Sequence, residues 1–234
     1  MAEGAQTKGV GFVNLRAFVI ERHGPEAWDA VVERLDSAER ETMASIVPVG
    51  WYSLALYAKL IRHIDRDLGQ GDLKLVQVIG RFEAERDLTT VQQWFLRLLR
   101  PSIAIEQTGK YWQRFHDTGV WTIERRGDRE IFGRLDGWGV VDAALCRELV
   151  GYMSRTLELL GGQDVVMDHP RCRARRDPTC EFRARWRLKK DEPAAHWAAV
   201  EAAQMEPTTT AKEASGPRPT VSTDSATLGK SGRK

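Results

Sequence analysis

Cysteine is scarce in these 234 residues: there are three, and all lie in the C-terminal half of the chain. An odd, clustered set argues against a secreted disulfide framework and for metal ligation or free thiols. No apolar run approaches the ~20 residues that a membrane helix needs. The N-terminus also lacks the apolar stretch of a signal peptide, so the expected location is the cytoplasm, without membrane attachment. Net charge is only +2, which gives no global pull toward nucleic acid. Gly-x-Ser-x-Gly, a Lys-Ser/Thr phosphate loop and a helix-turn-helix are all missing, and with them the usual marks of a hydrolase, an NTPase or a complete transcriptional regulator.

What is present is an ordinary globular composition, 42% apolar and 29% charged. Residues 1–9 are small and polar and are expected to be flexible. From Val10 onward the apolar residues recur at helical spacing. Phe12, Leu15 and Val19 form one stripe, and Trp28, Val31, Val32 and Leu35 form a second after Gly24-Pro25. A weaker segment covers roughly 37–47. Tyr57, Leu60, Ile61, Ile64 and Leu68 make the strongest stripe, and Val76, Ile79 and Phe82 mark the next. Thr89 or Thr90 can cap a helix carrying Trp94 and Phe95, which Pro101 interrupts, and Ser102 restarts one carrying Tyr111, Trp112 and Phe115. The first half therefore reads as all helix.

The period then changes. Val120 to Arg126 and Glu130 to Leu135 read as a β-hairpin. A long helix follows from about Val140 to Leu160, ended by Gly161-Gly162. Strands at about 164–171 and 180–188 close the domain, with Phe182, Ala184, Trp186 and Leu188 on one face of the last. The expected fold class is α+β: a helical N-terminal half on a small antiparallel sheet, with one long helix between two hairpins. The expected domain spans 10–188. Residues 189–234, rich in Ser, Thr, Pro, Gly and Lys toward the end, are expected to be mostly disordered.

Cys146, His169, Cys172 and Cys180 supply the four side chains that a tetrahedral zinc site needs. Cys146 falls on the inward face of the long helix, with Val150 and Met153, and Cys180 shares the inward parity of Phe182. The same thiols also suit a plain apolar core, and the spacing C-x25-C-x7-C matches no common zinc-finger template.

The segment Cys172 to Phe182 resembles the C-terminal signature of the 4-vinyl-reductase-type domain, a small-molecule-binding module of aromatic-sensing regulators. In those sensors zinc is held by a cysteine on the long helix, a carboxylate and two cysteines flanking a hairpin loop. The resemblance implies that Cys146, Cys172 and Cys180 are the three thiolate ligands of a structural zinc ion. His169 stands where the carboxylate would be, and Arg176 stands where a glycine is common. Gly11 to Asn14 running into Gly24 to Trp28 is similar to the opening of haem-based nitric-oxide/oxygen-binding domains, which belong to the same broad fold group. Their Tyr-x-Ser-x-Arg signature is absent, Tyr152 to Arg155 being one residue short. His116 is the best candidate haem ligand, but the expectation is zinc and not haem.

Trp94, Phe95, Tyr111, Trp112, Phe115, His116 and Trp121 cluster in sequence near the junction of helices and sheet. All but Phe95 are candidate walls for a small apolar or aromatic ligand; they equally fit a filled core. The final hairpin is strongly basic, from Arg171 to Lys190. It offers a surface to an acidic partner or second subunit, or is simply a solvated sheet face that discourages edge pairing. The functional expectation is a non-enzymatic, zinc-stapled sensory module, homodimeric and signalling to a partner through the basic hairpin or the tail. The rival is an adaptor of the same fold with no ligand. A tetrapyrrole enzyme finds no motif.

Overall fold

The computed structural model describes residues 4–88, 109 and 112–188. Five helices come first: α1 (Gly9–His23), α2 (Pro25–Glu33), α3 (Ser37–Ala44), α4 (Leu54–Leu68) and α5 (Lys74–Leu88). Two short strands, β1 (Gln6–Lys8) and β2 (Trp51–Ser53), pair antiparallel among them. A four-stranded antiparallel sheet follows, built from β3 (Val120–Arg125), β4 (Glu130–Asp136), β5 (Gln163–Arg171) and β6 (Cys180–Arg187) in the order β3-β4-β6-β5. The long helix α6 (Ala143–Leu159) connects the two hairpins. This is the expected α+β class, with two corrections. Residues 6–8 form a strand where a flexible terminus was expected, and β1–β2 interrupts an N-terminal half expected to be all helix. The helices expected around Trp94 and Ser102, and the tail from 189, lie outside the described residues.

Local chemistry sets the helix ends. Gly24 adopts φ +90, ends α1 and hands the chain to Pro25 at the start of α2. Asp36 and Glu39 form a capping box that starts α3: the Glu39 amide donates to Asp36 Oδ1 at 2.9 Å, and the Asp36 amide to Glu39 Oε2 at 3.0 Å. Without a buried residue of its own, α3 depends on that cap and on the Lys59–Glu39 ion pair at 2.6 Å. The stripes of α1 and α4 are buried apart from Leu68, which is half-buried, with Leu15, Val19, Leu60, Ile61 and Ile64 shielded from solvent.

α5 and α6 cross at two glycines. A Cβ on Gly80 would lie 2.1 Å from the Glu148 carbonyl oxygen, and one on Gly151 would lie 2.1 Å from that of Gln77. Ion pairs flank the crossing, Arg81 to Glu158 at 2.7 Å and Arg155 to Glu85 at 2.8 Å.

A buried acidic network lies beside it. The Tyr57 hydroxyl sits 2.8 Å from Glu83 and 2.7 Å from Glu148. One hydroxyl has one proton to donate, so one of the two carboxyls must donate back to it. Burial first, then the mutual repulsion of the pair, pushes the Glu83 carboxyl well above the ordinary range, and burial raises Glu148 as well. Asp87 is raised by burial while accepting from Asn14 at 2.9 Å and from Tyr152 at 3.2 Å. An acid whose folded pKa is raised binds more protons folded than unfolded. Its contribution to stability therefore declines as pH rises from the ordinary carboxylate range toward the folded value. Glu83→Gln is expected to flatten that decline, so that the Tm difference between variant and wild type shifts in favour of the variant from pH 5 to pH 8. A difference independent of pH would show that Glu83 is already ionised.

Candidate metal centre and aromatic cluster

β6 lays Cys180, Phe182, Ala184 and Trp186 on the inner face, as its alternation dictates. Register places Leu135 of β4 beside Cys180, and Gly133 beside Phe182. β5 is harder to arrange, because His169 and Cys172 are three residues apart and residues at that spacing face opposite sides of a regular strand. A bulge resolves this. Between Asp168↔Arg183 and Arg171↔Glu181, β5 advances three residues while β6 advances two. The extra residue shifts the parity, so that both His169 and Cys172 turn toward the core. Pro170 fits within the bulge of this edge strand, where no amide is demanded of it.

The turn that follows, Arg173–Arg175, is fastened by backbone and carboxylate. The Cys172 amide donates to Asp177 Oδ2 at 2.7 Å, and the Arg175 amide to the Cys172 carbonyl at 2.8 Å. Arg176 takes φ +71, the left-handed conformation for which glycine is the usual choice. On the other side, Asp142 caps α6 through the Ala144 amide at 2.9 Å and pairs with Arg62 of α4. Cys146 follows in the first turn of α6.

These elements bring all four predicted residues together. One ligand atom from each of Cys146, His169, Cys172 and Cys180 lies within 4.8 Å of every other. Cys146 Sγ is 3.6 Å from Cys180 Sγ and 3.8 Å from Cys172 Sγ. A disulfide would require about 2.05 Å, and all three thiols are free. Four ligands placed tetrahedrally at about 2.3 Å from an ion would set sulfurs about 3.8 Å apart. His169 strengthens the case: both ring nitrogens are enclosed without a hydrogen-bond partner, and the ring stands edge-on to Phe182 at 4.2 Å. Burial, then the charges of Arg175 and Arg147, hold its pKa down at about 4, so the imidazole is neutral with lone-pair density to offer. The hydrogen bond from Cys146 leads in lowering Cys180 to about 6, aided by the Arg173 amide at 3.4 Å, while the Cys146 thiol is pushed up by its bond to Cys180.

The aromatic candidates are only partly assembled. Trp112 stacks on Trp121 at 5.9 Å and on His116 at 4.2 Å. Trp138, which sequence reasoning missed, closes the group at 5.3 Å from both Trp112 and His116. Its signal was a large aromatic between two glycines in a turn. Phe115 faces outward, 47% exposed. Trp94 and Tyr111 lie outside the described residues. His116 Nδ1 is enclosed without a partner, and burial lowers its pKa to about 4. One cavity lies between α1, α2 and α3 and another at the β3–β4 turn, both away from this cluster.

Four arginines of the basic hairpin are ion-paired. Arg171 pairs with Glu181, Arg183 with Glu130, Arg185 with Asp168 and Arg187 with Asp164. No helix among the described residues is long and apolar enough to cross a membrane.

No family model matches the sequence, and no curated protein matches it. Solved structures do match. An H-NOX protein from S. oneidensis in the Fe(II)NO ligation state aligns over 77% of this chain and 99% of its own, with a TM-score of 0.59 and 14% identity. The Fe(II) unliganded H-NOX protein from K. algicida aligns over 80% and 100%, with a TM-score of 0.62 and 10% identity. The H-NOX domain from Shewanella oneidensis in the Fe(II)CO state aligns over 78% and 99%, with a TM-score of 0.62 and 13% identity. The chain therefore has the H-NOX fold.

This finding corrects one expectation. Setting haem aside in favour of zinc as the cofactor does not stand beside a fold whose solved examples carry Fe(II) and whose family is described by its haem. His116 is the described imidazole best placed to bear on the question, since its enclosed Nδ1 lacks a partner. In the described arrangement Trp112 and Trp138 fill the space against its ring, so a porphyrin would reach it only after an indole moved.

Proposed function

We propose that the chain is a non-enzymatic, small-molecule-sensing module of H-NOX fold whose helix–hairpin junction is fastened by one divalent cation of the thiolate-seeking class. Cys146, His169, Cys172 and Cys180 hold the ion. The observation that carries this reading is their convergence within 4.8 Å around a neutral imidazole with no other partner. Four protein ligands leave no coordination position for water, so the ion is structural. The resemblance of the Cys172–Phe182 segment to 4-vinyl-reductase-type domains supports the same ligand set. The sensed molecule is small and apolar or aromatic, with Trp112, His116 and Trp121 as its candidate walls among the described residues. The module works as a homodimer.

The adaptor reading draws on a different observation: Trp112, His116, Trp121 and Trp138 pack directly on one another. Native mass spectrometry with elemental analysis and an absorption spectrum of the purified chain tests the whole reading. The expected result is one divalent ion per chain, a dimer and a co-purified small molecule. A chain free of metal at full thermal stability would overturn the metal centre. A porphyrin band in the spectrum would identify the ligand class directly, and an ion-loaded chain with no ligand under any loading condition would favour the adaptor.

A further inference from the structure

The cleft between α1, α2 and α3 takes no part in the function proposed above. It is open to solvent on one side and has a volume of about 350 Å³, within the size range of small-ligand sites. Phe12 and Trp28, both buried, form its floor, and Val32, Met43 and Ile46 are half-buried along its sides. The polar lining is of one sign: Arg16 from α1 and Arg40 from α3, both exposed, with no carboxylate among the lining residues. Arg40 turns Nη1 toward the carbonyls of Leu35 and Glu33 at the end of α2, at 2.5 and 3.3 Å, and makes no ion pair among the described residues. Arg16 makes neither an ion pair nor a hydrogen bond there. Nearby cations are treated differently: Arg34 pairs with Asp67, Lys59 with Glu39 and Arg86 with Glu21.

Two guanidinium groups without acidic partners among the described residues, set over an aromatic floor, match a ligand with an anionic head and an apolar body. We propose that this cleft binds a small amphipathic carboxylate, its apolar part against Phe12 and Trp28 and its carboxylate at Arg16 and Arg40. Guanidinium suits this task because its planar fork meets both carboxylate oxygens. Neutral molecules of the same shape gain the floor but forfeit the charged contact.

Calorimetric titration of the full chain with benzoate and with octanoate, against benzyl alcohol and octanol, tests the assignment. At least one carboxylate is expected to bind, about tenfold more tightly than its alcohol. Arg16→Gln is expected to weaken binding by about tenfold. Ala44→Phe, at an exposed lining position, is expected to fill the cleft and abolish binding with thermal stability preserved. The proposal fails if neither carboxylate binds, if the alcohols bind equally well, or if both variants bind as wild type does. Binding that survives Ala44→Phe and is lost in Trp121→Ala would belong to the aromatic cluster and would overturn the cleft while leaving the sensing function intact.

Discussion

Cys146→Ser is expected to strip the cation from the protein and to lower its Tm by roughly 8–16 °C. Structural ions contribute on the order of 10 kcal/mol in domains that cannot fold without them. Here a continuous apolar core carries much of the fold already, so a loss of about 4 kcal/mol is the reasonable expectation, at roughly 2–4 °C per kcal/mol for a chain of this size. Serine keeps the branching of the side chain but is smaller and offers a poor ligand, and the two remaining thiols and His169 would be left facing one another. Elemental analysis and a thermal melt on the same sample check the linkage. An ion retained at full stoichiometry, or a large loss of stability with the ion retained, would sink the metal centre. Cys146→Ala serves as the packing control. In metal-free protein it should cost only about 1 kcal/mol, the value of a small buried group.

The second large effect is expected at the α5–α6 crossing. Gly151→Ala places a methyl group where the Gln77 carbonyl oxygen lies 2.1 Å away, so the helices must part. In an exposed helix the same change would stabilise by about 1 kcal/mol through helix propensity. Overpacking costs about 1–3 kcal/mol in a tight core and occasionally more, and here the obstacle is backbone, which cannot rotate aside. We expect a net loss of about 2 kcal/mol and a Tm lower by roughly 4–8 °C, with cation content unchanged. A Tm equal to or above that of wild type would mean that the helices separate freely, and the close crossing would be wrong.

The two cases differ in how far the sequence disclosed them. Cys180 could be placed because strand parity is rigid: knowing that Phe182 and Trp186 face inward decides Cys180 as well. Cys146 followed from helical periodicity with Val150 and Met153. His169 and Cys172 were nominated by residue type and by resemblance, but their shared orientation depends on a bulge that no periodicity reveals. Gly80 and Gly151 left no trace in the pattern, because a glycine in a helix reads only as a weak helix former. Glu83 did leave one. It occupies the i+7 position from Val76 on the apolar stripe, where a carboxylate needs a buried partner, and Tyr57 is that partner. β1 and β2 were illegible since Gln6-Thr7-Lys8 carries no alternation and its pairing partner is 45 residues away. The tyrosine–serine–arginine signature of haem-based domains is missing from the sequence, yet the architecture it accompanies is present.

Side chains between packed helices usually act as a cushion, tilting in their rotamers to absorb small displacements. Between α5 and α6 that cushion is missing, for main chain meets main chain at Gly80 and Gly151. The pair therefore behaves as one stiff strut that reaches from the helical half to the first turn of α6, where Cys146 is anchored. A shift imposed on α5 is expected to carry α6, and the Cys146 thiol, along with it.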